Sequence, residues 1–163
     1  LVTETKLTGL PVLLLSLSVA FVLATIPLPG ILALMRPEWV LLVLLYWLIA
    51  LPDRIGLITA WTVGLLVDLV AGGLLGQHAL TYVLAAFFAV SLHQQFRMFS
   101  LIQQTLLIGT ALVVYQLIDA SISQISGNAS FQMLDFLPVL SSTVMWPAVF
   151  VLLRSIRRRY RVA

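Results

Sequence analysis

The sequence predicts an all-α polytopic membrane protein with six transmembrane helices. Of its 163 residues, 61% are hydrophobic and only 9% are charged, and the mean hydropathy is +1.11. Soluble domains carry about 25% charged residues, and a small soluble fold could not hide so much apolar surface. Six segments also have roughly the 20 apolar residues that a helix needs to cross a bilayer. Within a single transmembrane domain of residues 1–163, the predicted spans are 8–27, 31–51, 55–72, 77–94, 100–124 and 134–154.

The first two spans are separated by the proline-rich sequence PLPG at 27–30. Proline lacks a backbone donor and breaks a helix, so the first span ends there. The second span carries Arg36 and Pro37 near its start, and Pro37 suits the first turn of a helix because no donor is needed there. Alternatively, residues 28–36 form a re-entrant or interfacial piece and the second span is shorter.

The third and fourth spans are bounded by polar and glycine-rich turns. The sequence LPDR at 51–54 predicts the tight turn before the third span, which contains Asp68. The sequence GGLLGQH at 72–78 predicts a short turn, and HQQFRMF at 93–99 predicts a polar loop after the fourth span.

The fifth and sixth spans are joined by SGNASFQ at 126–132, which has the composition of a turn. Asp119 lies near the end of the fifth span. The sixth span is predicted to be interrupted at Trp146 and Pro147, and the chain then closes with the basic sequence RSIRRRYRVA.

The distribution of lysine and arginine predicts the orientation. In a six-span arrangement, eight of these residues share one side of the membrane and only Arg36 lies on the other. Positive residues accumulate on the cytoplasmic side, so both termini are expected to be cytoplasmic. The eight are Lys6, Arg54, Arg97, Arg154, Arg157, Arg158, Arg159 and Arg161.

The residue types argue against several classes of function. The chain has no cysteine, which excludes disulfides and thiolate metal sites. Neither a G-x-S-x-G motif nor a Walker loop occurs. His78 and His93 are predicted on opposite sides of the membrane, where they cannot share a metal. We therefore expect no catalytic residues, no cofactor and no metal, and the net charge of +3 reflects topology and not nucleic-acid binding.

A layer of polar side chains is predicted near the outer leaflet. Its six members are Arg36, Glu38, Asp68, Gln77, His78 and Asp119. A charged residue at the centre of a membrane helix costs about 2.5–3.5 kcal/mol on insertion scales. The favoured interpretation is an ion pair between Arg36 and Asp68 that locks two helices together; the alternative is an ion or proton relay, or a binding site.

Small and aromatic residues supply further candidates for packing or interaction. Gly64, Gly72 and Gly76 suit close helix contact, and the spacing of the last two is small-xxx-small. The same two glycines could equally mark a helix end and a turn. Trp39, and Trp146 with Pro147, are candidates for interfacial anchors or packing.

The basic tail is expected to contact anionic lipid headgroups or a cytoplasmic partner, at about 1 kcal/mol per cation near the membrane surface. Its contact residues are predicted to be Arg157, Arg158, Arg159 and Arg161.

Four segments together resemble one family. They are RPEWVLLVLLYWLIALPDRIG at 36–56, GLLVDLVAGGLLGQHAL at 64–80, HQQFRMF at 93–99 and MWPAVFVLLR at 145–154. In this order they resemble MreD, the rod shape-determining inner-membrane protein family of the proteobacterial type. The resemblance covers nearly the whole chain, and the N-terminal sequence TETKLTGLPV departs from it most.

The resemblance implies a non-enzymatic scaffold of the cell-elongation machinery in the bacterial inner membrane. It implies binding to the transmembrane helix of MreC and, indirectly, to MreB, RodA and its class B penicillin-binding protein, in support of peptidoglycan synthesis. It also implies a fold similar to the six-helix S-component of energy-coupling-factor transporters. That fold leaves open an alternative function as the small-solute-binding subunit of a transporter.

Overall fold

The computed structural model describes residues 9–72, 74–127, 132–160 and 162, and all regular structure within them is helical. The all-α prediction is therefore confirmed for the described residues. Lys6, Arg161 and the first residue of the first predicted span lie outside them. The helices are α1 (Leu10–Thr25), α2 (Ile31–Leu34), α3 (Trp39–Ala50), α4 (Leu57–Ala71), α5 (Gln77–Ser91), α6 (His93–Met98), α7 (Leu101–Ile125) and α8 (Leu137–Arg159), the last preceded by a 3₁₀ turn at Met133–Phe136.

Three helical segments are long and apolar enough to cross a membrane: Ile31–Ala50, Leu101–Ile125 and Met133–Arg159. Helices α1, α4 and α5 are also apolar but have 16, 15 and 15 residues. At 1.5 Å per residue such helices are roughly 23 Å long, which is shorter than the hydrocarbon core of about 30 Å. By length and composition, these three segments are the candidate membrane spans among the described residues, and the six-span arrangement stays a prediction.

The second predicted span is not one continuous helix. Residues Ile31–Leu34 form a separate helical turn, and α3 begins only at Trp39. Pro37 lies two residues before α3, so its predicted place in the first helical turn is wrong. The residue before a proline is disfavoured in the α-helical region, which accounts for the break at Arg36.

Helix α3 forms the centre of the structure. Ten consecutive residues, 40–49, are buried, and the helix packs against α1, α5, α6 and α8. A helix that is hydrophobic on every side is stable only where other helices cover all of its faces. The indole Nε1 of Trp47 donates a hydrogen bond of 2.9 Å to the hydroxyl of Ser16, which fixes α3 to α1.

Helices α4 and α5 pack more extensively against each other than any other pair among the described residues. Gly64 allows this approach, because a Cβ atom there would lie 2.5 Å from Cα of Ala79 and 2.6 Å from the carbonyl oxygen of His78. Both neighbours are backbone atoms and cannot rotate away. The predicted role of Gly64 in helix contact is supported.

Two predicted interruptions are absent from the structure. Helix α8 continues through Trp146 and Pro147, and residues 93–98 of the predicted polar loop form the short helix α6. A proline removes one backbone donor, yet membrane helices tolerate it when nearby groups satisfy the freed backbone.

Candidate functional site

The carboxylate of Asp68 caps the start of helix α5. Its Oδ2 atom accepts hydrogen bonds from the backbone nitrogens of Gly76 at 2.8 Å and Ala79 at 3.3 Å. Its Oδ1 atom accepts from the backbone nitrogen of His78 at 2.9 Å and lies 2.9 Å from the Nδ1 atom of the same residue. These amides belong to the first turn of a helix, where donors lack intrahelical partners and the dipole favours negative charge.

Asp68 is 1% exposed, so the three backbone donors and the imidazole replace the water it has lost. A capping residue normally belongs to the helix it caps. Asp68 instead lies in the last turn of α4 and caps the following helix across the turn. The sequence places His78 in the same polar layer as Asp68 but does not identify it as a partner of the carboxylate.

Arg36 does not pair with Asp68, and the predicted ion pair is wrong. The guanidinium of Arg36 donates to the carbonyl oxygens of Ala24 at 2.5 Å and Ile26 at 2.6 Å. These carbonyls lie at the C-terminal end of α1, where acceptors have no intrahelical partner and the dipole favours a cation. Arg36 therefore fastens the chain before α3 to the end of α1.

Gln77 connects α5 to α7. Its amide Nε2 donates to the carboxylate of Asp119 at 2.9 Å and to the hydroxyl of Ser123 at 2.8 Å. The predicted layer thus brings Gln77 and Asp119 together, whereas the contribution of Ser123 was not foreseen. Consecutive residues Gln77 and His78 hold α5 to two different helices.

Glu38 and two tryptophans complete the packing of α3 and α8. The backbone nitrogen of Glu38 donates to the hydroxyl of Ser142 at 2.8 Å, and Ser142 is fully buried. Trp39 is partly buried against the core, and Trp146 is 0% exposed. The packing interpretation therefore applies to both, and that of an interfacial anchor does not fit the buried Trp146.

The glycines of the α4–α5 turn act through their backbone. Gly72, with a φ of 69°, ends α4, and Gly76, with a φ of 100°, precedes α5. A Cβ atom at either would meet nothing within 4 Å. Left-handed backbone is what glycine supplies at low cost, so the turn interpretation fits both residues, and small-xxx-small contact does not.

A cleft of about 500 Å³ opens between α1 and α4. These helices face each other across it without extensive packing. Its floor is formed by α3 and α5, and Tyr82 there is fully buried with a hydroxyl that has no partner among the described residues. The Nε atom of Arg36 is also buried and has no hydrogen-bond partner among the described residues. The other walls are mostly apolar and include Phe21, Val67 and Val70.

The basic residues of α8 lie beside the C-terminal end of α3. The Nη1 atom of Arg157 donates to the carbonyl of Ala50 at 3.3 Å, and the guanidinium of Arg154 lies 5.9 Å from the ring centre of Phe150. The side chains of Arg158 and Arg159 are exposed. No group of three or more His, Cys, Asp or Glu residues among those described is placed to hold a metal ion.

Comparison with known proteins gives two matches. Residues 5–156 match a family model described as rod shape-determining protein MreD. The chain is 32% identical over 144 residues to the rod shape-determining protein MreD of Haemophilus influenzae (strain ATCC 51907 / DSM 11121 / KW20 / Rd), covering 88% of this chain and 89% of that protein. No solved structure matches the chain.

Proposed function

The chain belongs to the MreD family of rod shape-determining membrane proteins, and from this we propose that it is a non-enzymatic scaffold of the cell-elongation machinery. In this proposal it crosses the bacterial inner membrane six times as a single domain, with both termini in the cytoplasm. It binds the transmembrane helix of MreC and through that complex acts with MreB, RodA and its class B penicillin-binding protein to support peptidoglycan synthesis.

The observation that carries the proposal is the cleft between α1 and α4. Two of the polar side chains that line it are committed to internal contacts: two nitrogens of Arg36 bond the end of α1, and the hydroxyl of Thr25 bonds the carbonyl of Val22. Such contacts hold the helices in place and leave the space of the cleft unfilled, so that a partner could enter it. Membrane helices associate through close packing and polar contacts, and the cleft offers space together with an unpartnered tyrosine hydroxyl.

The cleft supports a helix-docking role better than a solute-binding role. Ligand sites surround most of a small molecule and present several convergent polar groups. This cleft presents two buried polar atoms without a partner among the described residues, Arg36 Nε and Tyr82 Oη, together with the side chain of Glu38, between walls that are otherwise mostly apolar. An apolar partner helix with a large side chain is therefore the better occupant.

Site-specific photocrosslinking tests this surface. A photoreactive phenylalanine analogue at Val70, which is 59% exposed and lines the cleft, should capture co-expressed MreC. The same analogue at Val144, 73% exposed on α8 and away from the cleft, should not. Capture from Val144 alone, with MreC still co-purifying, would place the interface on another face.

Reporter fusions test the proposed topology separately. A fluorescent protein fused at either terminus should fold in the cytoplasm and fluoresce, and a periplasm-dependent phosphatase there should be inactive. Phosphatase activity from a C-terminal fusion would contradict the six-span arrangement.

A further inference from the structure

A second cavity, of about 230 Å³, lies at the opposite end of α3 from the cleft. It is enclosed by the ends of α3 and α8, the start of α7 and the segment that contains α6. Five aromatic residues form half of its lining: Tyr46, Phe96, Phe99, Trp146 and Phe150. Its size is below the 300–1,000 Å³ of typical pockets for drug-sized ligands, so it suits a small headgroup.

Two buried side chains in this wall carry polar atoms without a partner. Gln104 is 6% exposed, and its Nε2 atom donates to the carbonyls of Phe96 at 2.8 Å and Phe99 at 3.1 Å. Those bonds fix the amide orientation and leave Oε1 with no donor among the described residues. Trp146 is 0% exposed, and its Nε1 likewise has no acceptor there. Buried polar groups are nearly always paired, so both atoms indicate a missing partner.

Two arginines add positive charge to the same cavity. Arg154 and Arg157 line it, and neither forms an ion pair with a carboxylate among the described residues. Arg157 uses one nitrogen for the carbonyl of Ala50, and Arg154 lies over the ring of Phe150. A guanidinium has five N–H donors, so both retain donors for an anion.

We propose that this cavity binds the headgroup of an anionic glycerophospholipid. The phosphate accepts hydrogen bonds from Arg154, Arg157 and the indole of Trp146, and a headgroup hydroxyl donates to Oε1 of Gln104. A lipid is favoured over a soluble phosphate ester because the surrounding helices expose apolar side chains, including Ile102 at 75% and Leu152 at 61%. The proposal deepens the expected lipid contact of the basic tail and does not depend on MreC.

The full chain, purified in a neutral detergent, allows a direct measurement. Phosphatidylglycerol or phosphatidylcholine is added, and bound lipid is counted by native mass spectrometry. Phosphatidylglycerol should bind better, because phosphatidylcholine has no net negative charge and no headgroup hydroxyl. Equal binding of the two lipids would overturn the proposal, as would displacement by glycerol 3-phosphate at the same concentration as the lipid.

Matched pairs of arginines separate a built site from general surface charge. R154Q/R157Q should lower phosphatidylglycerol binding by about tenfold or more, since both arginines line the cavity and each would lose its charge-assisted hydrogen bond to the phosphate. R158Q/R159Q removes the same charge from exposed positions outside the cavity and should change binding by about twofold at most. If the two variants lost equal amounts of phosphatidylglycerol binding, general surface charge would explain the binding, and the proposal would be overturned.

Trp146→Phe tests the buried donor. The substitution keeps an aromatic six-membered ring and removes the indole N–H together with the rest of the five-membered ring, and in the folded variant it should weaken phosphatidylglycerol binding by roughly fivefold. Unchanged binding by the folded variant would remove Trp146 from the site. If R154Q/R157Q fails to fold, this variant and the comparison of lipids on the unmodified chain still decide the matter.

Discussion

The Oδ1 atom of Asp68 lies 2.9 Å from both the backbone nitrogen and the Nδ1 atom of His78. One carboxylate oxygen thus contacts a side chain and a backbone donor of the same residue, ten positions along the chain. Its other oxygen accepts from Gly76 and Ala79. A buried aspartate in an apolar helix is therefore explained by the helix end that it caps.

Removing the Asp68 carboxylate should destabilise the protein severely. Asp68→Ala leaves three backbone donors without acceptors, one of them buried and two partly buried, and at about 1–3 kcal/mol for each we expect a loss of about 3–5 kcal/mol. Asp68→Asn keeps one acceptor oxygen and should lose about 2 kcal/mol. The free energy of unfolding can be measured by denaturation in mixed micelles.

His78→Ala and Asp53→Asn provide the controls for this series. His78→Ala keeps the backbone donor and should lose only about 1 kcal/mol. Asp53 is exposed in a turn, so Asp53→Asn should change stability by no more than about 0.5 kcal/mol. If Asp68→Asn were as stable as the unmodified chain, the carboxylate would not be the cap that the geometry describes.

Arg36 and Asp68 should contribute to stability independently. Arg36→Ala frees two helix-end carbonyls and should cost about 2 kcal/mol, and Arg36→Lys should recover only part of this because an ammonium lacks the guanidinium fork. Since the two residues share no partner, the double variant Arg36→Ala with Asp68→Ala should be additive within about 0.5 kcal/mol. A coupling energy larger than this in the double-mutant cycle would indicate that Arg36 and Asp68 form a direct ion pair.

Gly64→Ala should separate α4 from α5. The added methyl would lie 2.5 Å from a backbone atom of Ala79, so the helices must move apart, at a cost of about 1–3 kcal/mol or more. Gly56→Ala is the matched control, because nothing lies within 4 Å of its Cβ position and its φ of −124° suits any residue. Thermal unfolding of the two variants measures the difference, and equal melting temperatures would contradict the close contact.

Gln77→Glu should be more harmful than Gln77→Ala. The glutamate loses both donated hydrogen bonds and places a second carboxylate beside Asp119, whereas alanine only loses the bonds. We expect a loss of about 1–2 kcal/mol for alanine and about 3 kcal/mol for glutamate. Gln94→Glu, at an exposed position of α6, makes the same chemical change and should be nearly neutral in the same denaturation assay. If both glutamate variants were equally stable, Gln77 would not join α5 to α7.

The helices were predictable because a segment of about 20 apolar residues can satisfy its backbone hydrogen bonds inside a membrane mainly by forming a helix. Predicted spans such as 100–124 and 55–72 match α7 and α4 within two residues at each end. One error lies at 93–99, predicted as a loop, where residues 93–98 form α6. Two others lie at prolines: α3 starts after Pro37 and does not include it, and α8 continues through Pro147. Periodicity cannot distinguish these cases, because the outcome depends on which neighbouring groups satisfy the freed backbone.

The polar layer was predictable as a group but not in its pairing. Asp68, Asp119, Gln77 and His78 were correctly placed near one another from the order of the spans. The expected partner of Asp68 was a cation, since a sequence displays side-chain charges and conceals backbone donors. The amides of a helix start and the carbonyls of a helix end satisfy Asp68 and Arg36 instead, and neither can be read from residue types.

The burial of α3 on all sides has a consequence for the order in which the chain assembles. Helix α3 is synthesised before α5 and α8, which later cover it, so its leucine-rich faces first contact lipid tails. Exchanging those tails for other helices gains little from the hydrophobic effect, because lipid is as apolar as leucine. The last step of assembly therefore relies on contacts such as Glu38 to Ser142 on α8, and a chain truncated before α8 would remain inserted but open around its own central helix.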